Sequence, residues 1–293
     1  MELKPALSYK EQILKLKNDH NLLISNYKCA EEILKKVNYY RLSGYGIGLK
    51  KYDNKEHYKN YISIEDLFSL YCFDSEFKNN LIRTIEQIEI ELRTQIAYHL
   101  AINYGPDVLN KENNFIYKTN KAGHPIYSII INNLNKEIYR QRNKPFVRHH
   151  IKKYKGKFPI WVSVELMSFG NLSSLFSILK DEDQKEISNY YNTDPKYLKN
   201  WILCLVEVRN ICAHYTRLYN MPLKENPRLY SENEKYKGKQ NKIFPILLII
   251  KRILNSNDQW KSLLKDLKNT FNKYQGCFNY SFMGFPKNWR NIL

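Results

Sequence analysis

The chain has 293 residues, enough for one large domain or two modest ones that each bury a hydrophobic core. Lysine and arginine total 47 against 29 aspartate and glutamate residues, and the resulting net charge of +18 favours a polyanionic partner such as nucleic acid. No segment approaches the ~20 apolar residues of a membrane span, no signal-peptide pattern opens the chain, and the five cysteines form no CxxC pair, so we expect a cytoplasmic protein without membrane association, cofactor or structural metal.

Helical periodicity dominates the chain, with almost no strand-like alternation. The predicted helices, in chain order, are 8–18, 30–37, one or two long helices over 63–104, 126–142, 160–169, another after a break at Gly170–Asn171, one from Asp194–Pro195 to Pro222, and two final helices at 243–254 and 259–274. The spacing of Ser8 and Glu11 predicts a capping box at the first helix. Loops are expected at 105–125, at the basic stretch 148–157 and at 227–240.

The long predicted helix after Ser63 carries an apolar stripe at three- and four-residue spacing. Its members are Leu81, Ile85, Ile88, Leu92 and Ile96. Glu89 and Arg93 lie four residues apart and are expected to pair on the surface. The whole pattern predicts an all-α protein with a helical core at 61–222, an N-terminal helical segment at 1–60, and a linker with C-terminal helices at 223–293.

An unusual polar group lies in the sequence EVRNICAHYTRLYN, which the pattern places on a largely buried helix. The predicted apolar face consists of Trp201, Cys204, Leu205, Val208, Ile211, Cys212, Tyr215, Leu218 and Tyr219. Asn210 and His214 are neighbours on a polar stripe with Glu207 and Arg217. Arg209 lies ~140° around the helix axis from His214, so the two side chains meet only if the arginine reaches round or if two copies of the helix face each other.

These residue types suit cleavage of a phosphodiester in RNA. A histidine exchanges a proton near neutral pH, an arginine binds phosphate oxygens, and an asparagine orients either group. RNA supplies its 2′-hydroxyl as nucleophile, so the reaction requires no metal. The spacing alone is weak, because chance predicts about one Arg-x4–6-His match in such a chain. The alternative interpretation is a polar helix face that pairs Glu207 with Arg217 or with solvent.

Three blocks of the chain resemble the Abi-like family of abortive-infection proteins, of the AbiD/AbiF type, and through it the HEPN ribonucleases. The blocks are VNYYRLSGY at 37–45, the segments 73–100 and 158–175, and EVRNICAHYTRLYN at 207–220. The resemblance implies a HEPN-like helical bundle with additional helices at both ends. It also implies a metal-independent endoribonuclease toxin of phage defence or a toxin–antitoxin system, which forms a 2′,3′-cyclic phosphate.

The resemblance further implies a homodimer with a composite site, and a small non-coding RNA that binds and restrains the toxin. Carried over to this sequence, the catalytic residues are Arg209 for phosphate stabilisation, Asn210 for orientation and His214 for proton transfer. The alternatives are a non-catalytic RNA-binding helical protein and an interaction protein in which these residues serve only structure.

Basic residues outside the motif are candidates for RNA contact. They are Arg148, His149, His150, Lys152, Lys153, Lys155, Arg217 and Arg41. A solvated loop is the other interpretation of the 148–155 run, and a structural turn is favoured for Arg41 with Tyr40 and Gly44. Arg217 either extends the site or pairs with Glu207.

Overall fold

The computed structural model describes residues 3, 5–54, 56–238, 241–254 and 257–293, and over these ranges the predicted all-α class is confirmed. The helices are α1 (Tyr9–Asn18), α2 (Tyr27–Lys36), α3 (Tyr39–Ser43), α4 (Ile64–Tyr104), α5 (Ile126–Arg140), α6 (Pro145–Lys153), α7 (Ile160–Leu166), α8 (Phe169–Ser177), α9 (Asp181–Tyr190), α10 (Pro195–Ala213), α11 (Ile243–Ile253) and α12 (Asn257–Lys273). Short 3₁₀ turns lie at Gly44–Gly46, Val108–Asn110, Glu112–Asn114, Ser231–Tyr236, Tyr280–Met283 and Trp289–Asn291. Within the described ranges, β pairing is limited to isolated bridges.

Both N-terminal helix predictions are confirmed, and the first helix begins as expected. The Ser8 side chain accepts a hydrogen bond from the backbone N–H of Glu11, and the Glu11 carboxylate accepts one from the backbone N–H of Ser8. This reciprocal capping box satisfies two donors that a helix N-terminus otherwise leaves unpaired.

Helix α4 is one continuous helix of 41 residues and forms the centre of the fold. It begins with a second capping box between Ser63 and Asp66, and it ends at Gly105, whose φ of 86° lies in the left-handed region that glycine adopts at little cost. The predicted apolar stripe is confirmed, since all five side chains are buried. Helices α7, α10 and α12 pack along α4, so its central turns are surrounded by other elements.

Two local predictions in the middle of the chain are wrong, and one helix there is missing from the prediction. The basic stretch expected as a loop is largely helix α6, because Pro145 occupies the first helical turn, where its missing N–H costs nothing. The break between α7 and α8 lies at Met167–Ser168 rather than Gly170–Asn171, since Ser168 caps α8 by accepting from the backbone N–H of Asn171. Helix α9 was not predicted.

The helix that carries the polar trio also differs from its predicted extent. It begins as expected, with Asp194 as N-cap and Pro195 in the first turn, but it ends at Ala213 instead of Pro222. The C-terminal helices α11 and α12 are confirmed. Part of the predicted linker forms the 3₁₀ turn at Ser231–Tyr236, and its residues 239–240 lie outside the described ranges.

The buried side chains form two clusters. The smaller joins α1 and α2 to the first turns of α4, and the larger extends from Tyr45 through the middle of α4 to Leu293. Among the described residues, no helix is both long and apolar enough to cross a membrane.

Candidate active site

Helix α10 presents its apolar face to the core and its polar residues to the surface at its C-terminal end. Trp201, Cys204, Leu205, Val208 and Cys212 are buried as predicted, and Ile211 is half-buried. Tyr215 is the exception, because its side chain is 73% exposed. Leu218 and Tyr219 are buried, but they reach the core from the turn after the helix.

The helix ends immediately before His214 in a Schellman motif. His214 is the C-cap, Tyr215 has a φ of 56°, the Thr216 N–H donates to the Ile211 carbonyl at 3.0 Å, and the Tyr215 N–H donates to the Cys212 carbonyl at 3.2 Å. Glycine usually occupies the left-handed position of this motif. Because Tyr215 occupies it here, the sequence pattern does not predict the end of the helix. The termination places His214 at an exposed helix end, where its imidazole faces solvent.

The polar stripe predicted from sequence lines one open groove of about 460 Å³. The members of the stripe are Glu207, Asn210, His214 and Arg217, and the apolar Leu203 and Val206 continue the same wall. Asn210 and His214 are exposed. Within the described part of the chain, the imidazole of His214 makes no hydrogen bond, so both ring nitrogens are open to a ligand.

Arg209 lies beside this groove and is held by helix α4. Its Nε is 3.6 Å from Glu89 Oε2, and its Nη1 donates to Asn210 Oδ1 at 3.4 Å. The Arg209 side chain is about one-third exposed. Arg209 therefore contacts Asn210 but is not among the residues that line the groove with His214, in keeping with their separation around the helix.

Glu89 is shared between two arginines. It also pairs with Arg93, and Arg93 donates to the backbone carbonyl of Val164. Glu89 and Arg93 do form the predicted ion pair. The predicted surface location is wrong, because both side chains are buried under α7. One buried carboxylate facing two guanidinium groups leaves an excess positive charge beside Asn210, which favours an anionic ligand there.

The turn after His214 is anchored by side chains from distant parts of the chain. Arg41 donates to the Tyr215 carbonyl, and Lys78 Nζ donates to the Thr216 carbonyl at 3.0 Å. Asp74 accepts from the backbone N–H groups of Leu218 at 3.2 Å and Tyr219 at 2.7 Å. These bonds satisfy backbone groups that the ended helix no longer pairs.

Asp74 is the centre of this anchor. It is buried, lies 3.0 Å from Lys78 Nζ, and accepts a 2.8 Å hydrogen bond from the Tyr45 hydroxyl. Burial raises the pKa of Tyr45, and the neighbouring Asp74 charge raises it further, so the phenol remains a donor. Arg41 and Tyr45 belong to the 37–45 block, and their observed role is structural.

Arg217 does not form the alternative pair with Glu207. The Glu207 carboxylate accepts from the backbone N–H groups of Lys224 at 2.7 Å and Glu225 at 2.8 Å. Arg217 Nη2 lies 3.1 Å from Met221 Sδ, while its Nη1 is buried and has no hydrogen-bond partner within the described ranges. Burial lowers the pKa of the guanidinium. Arg217 therefore contributes a poorly satisfied cation to the groove wall.

The remaining basic candidates lie on and just after α6 and not in this groove. Arg148, His149, Lys152, Lys153 and Lys155 are exposed, and His150 is half-buried. Sequence analysis missed Asp74, Lys78 and Glu89 as parts of the site, although all three fall inside the 73–100 block. In the described ranges, no group of three His, Cys, Asp or Glu side chains could hold a metal ion.

Comparison with known proteins agrees with the three blocks that converge here. The Abi-like protein family matches residues 32–220, which is well over half of the chain. No curated protein and no solved structure matches the chain significantly. The matched region begins before Arg41 and ends after the turn that follows His214, so it contains the groove lining up to Arg217 and every anchoring residue described above. The chain therefore belongs to the Abi-like family of abortive-infection proteins.

Proposed function

We propose that this protein is a HEPN-type endoribonuclease toxin of phage defence. The main support is the His214 imidazole, which lies exposed in a groove with Asn210 and free of any hydrogen bond in the described structure. Neither ring nitrogen of His214 is engaged by another described residue, so both can exchange protons with a bound RNA. Arg209, next to Asn210, keeps guanidinium donors beyond its pair with Glu89 and can bind a phosphate.

The proposed reaction uses the 2′-hydroxyl of the RNA as nucleophile. His214 accepts the hydroxyl proton as the 2′-oxygen attacks the adjacent phosphorus, and a histidine also protonates the departing 5′-oxygen. Arg209 stabilises the charge that develops on the phosphoryl oxygens. The products are a 2′,3′-cyclic phosphate and a 5′-hydroxyl, and no step requires a metal.

A homodimer with a composite site is part of the proposal. Leu203, 42% exposed, and half-buried Val206 line the same groove as His214, so apolar surface adjoins the polar trio. A second copy packed on this face would bury that surface and bring two His214 imidazoles and two Arg209 guanidinium groups near one phosphate. Because Arg209 and His214 are separated within one chain, a dimer would allow the Arg209 of one copy to act with the His214 of the other.

Restraint by a structured RNA completes the proposed function. The net charge of +18 and the exposed cations of α6 favour an RNA partner, and its copurification with the protein would identify it.

The test replaces the two proposed catalytic residues, His214 and Arg209, in separate variants. We expect His214→Ala and Arg209→Ala each to lower RNA cleavage by at least about a hundredfold and to abolish growth toxicity. His124→Ala, an exposed histidine in the loop before α5, is the matched control and should cleave normally. The products should carry 2′,3′-cyclic phosphate ends, and a chelator should leave the rate unchanged.

The non-catalytic alternative gives a different result in the same experiment. If the trio only binds RNA, the purified protein leaves RNA intact and both substitutions weaken RNA affinity. Cleavage that requires a divalent metal, or that survives both substitutions, would contradict the proposed mechanism.

A further inference from the structure

A second cavity lies between the loop after α4 and the segment that joins α6 to α7. Its volume is about 400 Å³, within the range of small-molecule sites. The two walls are joined by a 2.9 Å hydrogen bond from the Ile160 N–H to the Pro106 carbonyl. The lining is mostly apolar and includes Asn110, His150, Tyr154, Lys157, Phe158 and Trp161.

Aromatic rings dominate this cavity. His150 stacks on Phe158 with ring centroids 5.3 Å apart and planes 20° apart, and the Tyr154 ring lies 5.3 Å from His150. Tyr154 is nevertheless 45% exposed and Trp161 is 53% exposed. Two large rings left open to solvent at the edge of an apolar cavity provide surfaces on which a flat ligand can stack.

The surroundings of the cavity are strongly cationic. Residues 141–157 contain no acidic residue, and exposed cations follow one another at Arg148, Lys152, Lys153, Lys155 and Lys157. The carboxylate of Asp107 lines the cavity, but it lies 3.6 Å from Lys111 Nζ. A ligand that suits this place has a flat aromatic part and a negatively charged part.

We propose that this cavity holds an unpaired nucleobase of an RNA strand whose phosphates bind the cations of α6. The base stacks on Trp161 and Tyr154, and the exposed Asn110 amide offers both a donor and an acceptor to its edge. The inference rests on the RNA-directed function proposed above, and it adds a base-binding site separate from the His214 groove.

The position of Trp161 links this site to the proposed active site. Trp161 also lines a shallow groove along α4 with Arg93, Thr94, Tyr98 and Ile102. Arg93 pairs with Glu89, which holds Arg209. At 1.5 Å per residue, the 13 residues from Glu89 to Ile102 span ~20 Å, a distance that a single strand can cross along the helix.

Tryptophan fluorescence provides a direct test. Of the four tryptophans, all in described ranges, Trp161 alone is exposed. We would titrate the full chain with a 2′-O-methyl oligouridylate of about twelve nucleotides, and with an abasic strand of the same length and the same 2′-O-methyl sugars. Neither strand has a free 2′-hydroxyl nucleophile at its linkages, so the result does not depend on whether the chain cuts RNA.

The base-containing strand should quench the emission and the abasic strand should not. Trp161→Phe should lose the quenching and keep the affinity, as measured by anisotropy of a labelled strand. Trp161→Ala and Tyr154→Ala should each weaken binding by about tenfold. Tyr52→Ala, a fully exposed tyrosine in the N-terminal segment, is the matched control.

Two results would overturn the proposal. If the abasic strand binds as tightly and quenches as strongly as the base-containing strand, the cations of α6 alone bind the backbone. Unchanged affinity of a folded Trp161→Ala variant would show that no base stacks there. Either result would leave the proposed nuclease function intact, whereas loss of cleavage in His214→Ala with normal quenching would support both proposals independently.

Discussion

At the scale of single residues, the most informative feature is the carboxylate of Glu89. It is buried, it faces Arg93 and Arg209, and it connects α4 to the end of α10. Buried charges are stable only when they are paired, so the buried Arg93 depends on this carboxylate, whereas the partly exposed Arg209 is only positioned by it. The proposed phosphate-binding Arg209 is therefore oriented by a buried carboxylate of α4.

We expect Glu89→Gln to lower the free energy of unfolding by about 3 kcal/mol, because the buried Arg93 guanidinium loses the carboxylate with which it forms its ion pair in the described structure. Urea denaturation would measure the loss. Glu86→Gln, an exposed substitution on the same helix, should change stability by less than ~0.5 kcal/mol. Equal effects of the two substitutions would mean that the Glu89 pairs contribute nothing.

At the scale of elements, the end of α10 decides what the polar trio can do. Had the helix continued to Pro222, as periodicity predicts, Tyr215 would face the core. The Schellman motif turns the chain at Tyr215 instead, exposes that ring and leaves His214 at the helix end. A left-handed tyrosine costs energy that glycine would not, so the position is locally strained.

Substitutions at Tyr215 should reveal that strain. Tyr215→Gly should raise the free energy of unfolding by about 0.5 kcal/mol, since the lost ring is exposed and glycine adopts the left-handed conformation readily. Tyr215→Val should lower it by about 1 kcal/mol, because a β-branched residue tolerates positive φ poorly. Thermal unfolding of the two variants would check the opposite signs, and a stabilising valine would refute the explanation.

At the scale of the whole molecule, the site depends on contacts between distant parts of the chain. Asp74 is 144 and 145 residues from the two backbone groups that it caps. Arg41 and Tyr45 bring the N-terminal segment to the same turn. The segment at 1–60 is thus tied to the candidate site, and the three family blocks meet there although they are far apart in sequence.

We expect Asp74→Asn to lower the free energy of unfolding by about 3 kcal/mol or more, because it leaves the buried Lys78 ammonium without its carboxylate. Chemical denaturation would measure this, and RNA cleavage should fall in parallel. The double variant Asp74→Asn with Lys78→Met removes the unpaired charge and should regain part of the loss. A single variant as stable as the parent would contradict the anchoring role.

Much of the local structure could be predicted from sequence. Apolar spacing and capping residues located α1, the long α4 and the start of α10. The helical period also separated Arg209 from His214, and in the structure Arg209 faces Glu89 of α4 while His214 lines the groove. These features depend on residues within a few turns of one another, so local sequence suffices.

The tertiary structure alone decided where α10 ends, how deep the Glu89–Arg93 pair lies and which rings form the second cavity. Nothing local marks Ala213 as a helix terminus, since Tyr215 is not glycine and the stabilising bonds come from Arg41, Lys78 and Asp74. The cavity likewise joins 106–110 to 150–161. The sequence by itself determined the helices and the chemistry they carry, while long-range hydrogen bonds and buried charges, which have no local signature, decided where that chemistry is exposed.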